Sequence, residues 1–259
     1  MALVLFAPVP RDPRRSEKQY TSIMPNGQRS EPRELPCWMD KWVAEKELSK
    51  KRTAGKRRQT LADIPIEQAE VFMSVVVPAY NEEDRLTGML EEAVDYLQQE
   101  YGGPQDAQTS DGAQKGGKEK GWEILLVSDG STDGTVEKAL RFAKEHQLSQ
   151  HRKSVSGPWK DHLKHEERIP YGSIRVIELE ANRGKGGAVT HGMRHVRGQY
   201  VVFADADGAS RFSDLGALVE GCKKVKDERG RGVAIGSRAH LVGSEAVVKV
   251  SIFTIYLPH

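Results

Sequence analysis

Asp205 and Asp207 stand one residue apart at the end of an apolar run, with small Ala206 and Gly208 beside them. Paired hard oxygen donors suit magnesium or manganese, which also bridge phosphate oxygens. The spacing alone is a weak signal, because Asp207-Gly208 also makes an ordinary turn. A second group, Ser128-Asp129-Gly130-Ser131-Thr132-Asp133-Gly134-Thr135, is dense in hydroxyls and carboxylates. Asp129 lies directly beyond a strand, where it can accept hydrogen bonds from a base or a ribose. Capping of the next helix by Ser131, Thr132 or Asp133 is the plainer alternative and leaves Asp129 unexplained. In Asn182-Arg183-Gly184-Lys185-Gly186-Gly187, the glycines allow backbone to approach a phosphate and Lys185 adds charge near a helix start. The spacing is not that of a P-loop, and a simple glycine-rich turn is the alternative. In Pro78-Ala79-Tyr80-Asn81-Glu82-Glu83, Tyr80 can stack on a base while Asn81 and Glu82 bond base or ribose. The competing role is Asn81 as helix N-cap, with acids in the first turn.

The elements that must position these groups alternate strand and helix. Apolar, β-branched runs at Phe72–Val77, Trp122–Val127, Ile174–Leu179 and Tyr200–Ala204 read as strands, and Val233–Ile235 as a shorter one. Between them, apolar residues at helical spacing mark helices. Leu86, Leu90, Ala93, Val94, Leu97 and Tyr101 mark the first, halted by Gly102-Gly103-Pro104, and Val136, Leu140 and Ala143 the second. A third starts near Gly187 with Val189, Met193 and Val196 inward, and Leu215, Leu218, Val219 and Cys222 stripe the last. Such alternation predicts an α/β fold, a mainly parallel sheet with helices on both faces. Ligands bind such sheets at the carboxyl ends of strands. Each of the four polar groups falls just after a strand, so all four should share one sheet edge.

Bulk properties exclude several classes. The 259 residues carry a formal net charge of +2, which gives no preference for polyanions. Cys37 and Cys222 are too few and too far apart for a disulfide framework or a metal site, and Cys222 reads as inert core. No run reaches the roughly 20 apolar residues a bilayer span needs. Residues 1–10 begin with an apolar stretch ended by Pro8, Pro10 and Arg11, and are expected to be a disordered terminus or the tail of a membrane anchor. Residues 11–70 form a polar leader with one helix, Met39–Lys50, and a basic run, Lys50–Arg58, expected to be a solvated face. Residues 71–259 make the main domain. Segments 103–121 and 147–172 are polar and rich in Gly, Gln, Lys, Ser or Pro, and read as surface insertions.

Taken together, SVVVPAYNEEDRL, LLVSDGSTDGT, NRGKGGAV, VVFADADGA and GSRAH resemble the family 2 glycosyltransferases of the GT-A (Rossmann-like) fold. Within them the set is most similar to the dolichyl-phosphate β-glucosyltransferases, as are FAPVPR and LPCWMDKW in the leader. The resemblance implies that Pro78, Tyr80 and Glu82 line a nucleotide pocket and that Asp129 contacts uracil. It implies that Lys185 lies near the phosphates, and that Asp205 and Asp207 hold a divalent metal, magnesium or manganese, on the diphosphate. Ser237 and Arg238 would meet an acceptor phosphate, with Asp207 and Arg238 as the catalytic pair. The implied partners are UDP-glucose and dolichyl phosphate in the membrane, with no nucleic acid. The implied location is the endoplasmic reticulum membrane, with the domain facing the cytosol. Family members continue beyond GSR with acceptor-side helices, so the acceptor region is expected to be truncated and lipid glucosylation by this chain to be weak or absent.

Other readings make distinct demands. A transferase acting on a hydroxyl needs a carboxylate base after the Asp-x-Asp, for which Asp214 is the candidate, at a helix start where capping competes. A catalytically inactive nucleotide-binding module fits the short C-terminus, though not the intact Asp129, Asp205 and Asp207. Nucleic-acid binding through Lys50–Arg58 would show steep salt dependence and has no other support.

Overall fold

The computed structural model describes residues 12–52, 68–102, 121–148, 171–228, 230–236 and 253–256, with backbone alone for 50–52, 148 and 253–256. The chain enters through a short hairpin, β1 (Gln19–Tyr20) against β2 (Arg33–Glu34), followed by helix α1 (Trp38–Arg52). Then come β3 (Val71–Ala79), α2 (Leu86–Tyr101), β4 (Trp122–Ser128), α3 (Thr135–Leu148), β5 (Ile174–Glu178) and α4 (Gly184–Met193). The series ends with β6 (Gly198–Phe203), α5 (Leu215–Lys224), β7 (Val233–Ile235) and β8 (Phe253–Tyr256).

Strands β3 to β8 form one sheet in the order β5-β4-β3-β6-β8-β7. The first four are mutually parallel, while β8 runs antiparallel to both β6 and β7. Because side chains alternate across a strand, each run feeds two cores. Val75 and Val77, Ile124 and Leu126, and Tyr200 and Val202 face α2, α3 and α5. Val76, Leu125, Val127, Ile177 and Val201 face α4 and the leader residue Leu35. Helices therefore cover both faces, as the sequence predicts, and the uninterrupted apolar runs are what a doubly covered parallel sheet requires.

Helix α4 departs from expectation. It starts at Gly184, before the Gly187 at which the sequence places it. Its glycines make poor helix formers, which hides the first turn from a pattern reading. The face toward the sheet is made by Ala188, His191 and Gly192; Met193 packs against that core only in part, Val196 lies within it as expected, and Val189 is not among its residues. At Gly192 a Cβ would come within 2.5 Å of Val76, so only glycine permits this approach. Val189 and Met193 are half-buried and line an apolar cleft with Trp38 and Phe203.

The leader is irregular, yet it packs on the domain. Thr21 exchanges two backbone hydrogen bonds of 2.9 Å with Val176 on the outer edge of β5. Trp38 Nε1 donates to the Met193 carbonyl at 2.8 Å. Glu17, Ile23 and Leu35 are buried. Among the described residues no helix is long and apolar enough to cross a membrane. Residues 1–10, most of Lys50–Arg58 and nearly all of both insertions lie outside the described residues.

Candidate active site

Strand order reverses between β3 and β6. The chain steps outward from β3 through β4 to β5, then returns to the other side of β3. Crevices at such reversals, beyond the carboxyl ends of the strands, are the usual binding sites of these sheets. Here the crevice is a cleft of about 220 Å³, lined by Pro78 and Ala79 at the end of β3, Tyr80 and Glu82 just after it, Lys185 at the start of α4, and Asp205, Ala206 and Asp207 after β6. Six residues singled out from sequence thus meet in one place: Pro78, Tyr80, Glu82, Lys185, Asp205 and Asp207.

The cleft is a cluster of loosely paired charges. Lys185 Nζ lies 2.5 Å from Asp205 Oδ1, with the lysine side chain 58% exposed. Asp207 Oδ1 accepts the Ala209 amide at 3.0 Å, so the turn-forming role considered for this residue is realised. Its other oxygen is 4.0 Å from Arg85, whose guanidinium also pairs with Glu82 at 2.7 Å. Burial pushes the Glu82 carboxyl above its ordinary value, Asp207 and Asp133 add to the effect, and Arg85 opposes it. Arg85 escaped the sequence reading. Its three-residue spacing from Glu82, one helical turn, was the available signal.

Asp129 does not line the cleft. Its side chain is buried, and its Oδ1 accepts the Arg183 amide at 2.8 Å. Burial pushes its carboxyl up, against the pull of the Arg183 and Gly184 amides and the Arg183 charge. It ties the loop after β4 to the glycine-rich loop that carries Lys185. At Gly130 a Cβ would lie 2.8 Å from the Asn182 nitrogen, so these loops touch through backbone.

Mutual bonding explains the hydroxyl-rich loop. Thr135 Oγ1 accepts the Glu82 amide at 2.9 Å, and Glu83 Oε2 accepts the Gly134 amide at 2.9 Å. Asn81, at φ 54°, is not an N-cap, and its Oδ1 accepts the Thr132 amide at 2.9 Å. Asp133 accepts the Thr135 amide at 3.0 Å, so capping of α3 does occur. Asp214 sits at the start of α5, makes no side-chain capping bond there, and is not part of the cleft. Ser237 and Arg238 lie outside the described residues.

Two carboxylates fit a divalent ion that takes its remaining ligands from phosphate and water, which is how magnesium is commonly held. Among the described residues no group of three or more His, Cys, Asp or Glu could hold a metal, so a closed all-protein cage is not on offer. A hard cation shared with an anionic ligand is the arrangement this donor set supports.

A sequence model of Glycosyl transferase family 2 matches residues 74–240. A dolichyl-phosphate beta-glucosyltransferase of Saccharomyces cerevisiae is 38% identical over 189 residues, covering 71% of this chain and 46% of the relative. One of Drosophila melanogaster is 39% identical over 188 residues, covering 72% and 46% respectively. The chain thus spans just under half the length of these curated relatives. Among solved structures, a mannosyltransferase of Pyrobaculum calidifontis in complex with GDP-Man and Mn2+ aligns with a TM-score of 0.40 at 20% identity, covering 84% of this chain and 52% of that one.

Proposed function

This chain belongs to glycosyl transferase family 2, and from that premise we propose that it transfers glucose from UDP-glucose to dolichyl phosphate with inversion. The product is dolichyl β-D-glucosyl phosphate, used in N-glycan precursor assembly. The supporting observation is the meeting of Tyr80, Glu82, Lys185, Asp205 and Asp207 in one cleft at the strand-order reversal. The named relatives support the choice of acceptor and sugar.

In this reading Tyr80, 49% exposed, offers a face for the uracil ring, and Glu82 bonds the nucleoside. Asp129 acts through the Arg183 amide, holding the Lys185 loop rather than touching the base. Magnesium or manganese, held by Asp205 and Asp207, would neutralise the leaving diphosphate. Lys185, placed beside Asp205, adds a second positive charge there. An oxygen of the acceptor phosphate attacks the anomeric carbon opposite the leaving group. The anomeric C–O bond to the diphosphate breaks, UDP departs with the electron pair, and the α-linked donor gives a β-linked product. The acceptor is already anionic at neutral pH, so it needs no base. Ser237 and Arg238 are proposed to receive the acceptor phosphate. The working location is the endoplasmic reticulum membrane, with the cleft facing the cytosol.

The test is transfer of labelled sugar to dolichyl phosphate in liposomes, comparing UDP-glucose with GDP-mannose. Transfer from UDP-glucose alone, lost on chelation of divalent metal, is expected. Transfer from GDP-mannose, or to a hydroxyl acceptor in preference, would overturn the reading.

A further inference from the structure

A buried carboxylate in the leader bonds the loop that precedes α4. Glu17 lies in a short 3₁₀ turn, Ser16–Lys18, and is 0% exposed. Its Oε1 accepts the Glu180 amide at 3.1 Å, and its Oε2 accepts the Arg14 amide at 2.7 Å and lies 3.7 Å from the Arg183 guanidinium. Its carbonyl oxygen is 2.8 Å from Nε2 of His191 on α4. On the surface above, Arg14 and Ser16 both bond the Glu180 carboxylate.

Burying a carboxylate is costly unless its oxygens are matched by donors. Apart from the Arg14 amide, the donors named above come from one place, residues 180–183, the loop between β5 and α4. That loop leads directly into α4, whose second residue is Lys185, the lysine whose ammonium meets Asp205. From the other side Asp129 holds the Arg183 amide. The loop is therefore clamped between two buried carboxylates, one from the loop after β4 and one from the leader.

We propose that Glu17 is a positioning residue for the donor site. It fixes the path of the Lys185 loop, so the leader is a working part of the cleft and not merely a tether. The role in donor binding rests on the function proposed above, whereas the clamp itself does not.

Two measurements on the full chain separate these. The first is hydrogen exchange of residues 180–186 without ligand, in wild type, Glu17→Ala and Glu17→Gln. Exchange should quicken about tenfold or more in the alanine variant, since bonds to charged groups are the strong ones, and be partly restored by glutamine, which keeps one acceptor oxygen. Unchanged protection in Glu17→Ala overturns the clamp. The second is calorimetric titration of UDP with manganese in wild type, Glu17→Ala, Lys185→Ala and the double variant. Glu17→Ala should weaken UDP about tenfold in the wild-type background and far less once Lys185 is gone. Equal losses in both backgrounds would make Glu17 a general stabiliser and overturn the positioning role. Wild type failing to bind UDP would sink the proposed function and the donor role with it, while the exchange result still decides the clamp.

Discussion

Glu123 and Asp205 are both carboxylates paired with a basic side chain, and they sit at opposite ends of the sheet. Glu123, near the start of β4, is 0% exposed, and its partner Arg175 only 3%. It also accepts Ser74 Oγ at 2.6 Å and both the Arg197 amide and Nε at 2.8 Å. Burial alone would raise its pKa, but the charges of Arg175 and Arg197 outweigh this and hold it below the ordinary glutamate value. Asp205 and its partner Lys185 are 21% and 58% exposed, with one contact between them. Saturated pairing in a dry interior fixes structure, because any rearrangement strands a charge. Loose pairing at a wet edge leaves both groups free to take a new partner. Chemistry is expected only at the second kind of site.

The comparison breaks most directly at Glu123. Glu123→Ala strands the buried Arg175 guanidinium, leaves Arg197 with Glu70 alone, and should destabilise the fold by about 3–5 kcal/mol, read from urea unfolding. A loss below about 1 kcal/mol would put this pair in the same class as the exposed one.

Asp207→Ala should do the reverse. At 37% exposure it supports little packing, so stability should change by no more than about 1 kcal/mol. Metal-dependent UDP affinity should fall about tenfold to a hundredfold, since a charged contact to the metal–diphosphate is lost. Calorimetry with manganese and with chelator checks this. Metal-dependent binding that survives unchanged would remove Asp207 from the site.

A third test returns to the Glu123 end of the sheet. His195 Nδ1 lies 2.9 Å from the Pro36 carbonyl, and the His195 carbonyl lies 3.4 Å from Arg175. Burial pushes its imidazole down to about 4, and the nearby His191 and Arg194 push the same way, against Pro36 and Asp40. The folded state thus holds it neutral where the unfolded chain takes a proton. Its contribution is fully present above about pH 6.5 and is lost as pH falls toward about 4, by up to about 1.4 kcal/mol per unit. Burial lowers His191 as well. Urea midpoints at pH 7, 5.5 and 4.5 should fall, and His195→Gln should flatten the trend. An unchanged slope in the variant would show that other groups carry it.

The contrast between the ends also governs what the sequence could reveal. Strands such as Phe72–Val77 were legible because burial on both faces demands an unbroken apolar run. Asp205 and Asp207 were legible because strand ends give loop carboxylates a predictable place. Glu123 was not, for it sits inside the run Trp122–Val127, and its partners Arg175 and Arg197 come 52 and 74 residues later. Asp129 is legible as a carboxylate at the correct edge, but its bond to the glycine-rich loop is not. Its contact with the Arg183 amide, 54 residues on, depends on how two loops meet. Glu17 lay in a polar stretch with no period to expose its burial. Local pattern thus locates elements and their ends, while long-range pairing of charges stays hidden until the chain is folded.

The smallest effect is expected from removing residues 103–120. This segment enters where α2 ends and leaves where β4 begins, at the amino end of the sheet. Its two ends are already joined, since the Gly121 amide donates to the Tyr101 carbonyl at 2.8 Å. Gly121 is itself fixed, its carbonyl accepting the Phe72 and Met73 amides at 3.0 and 3.1 Å. A short Gly-Ser link from Gly102 to Gly121 therefore spans no new distance. Closing a shorter loop costs less entropy, by about 0.6 kcal/mol per halving, so stability should hold or rise by about 1 kcal/mol. The cleft lies beyond the opposite ends of the strands, and its described lining comes from the end of β3, the start of α4 and the loop after β6. UDP affinity in the deletion variant should match wild type within error. A deletion that folds yet loses UDP would show that the amino end reaches the cleft, and the separation of a structural end from a chemical one would fail.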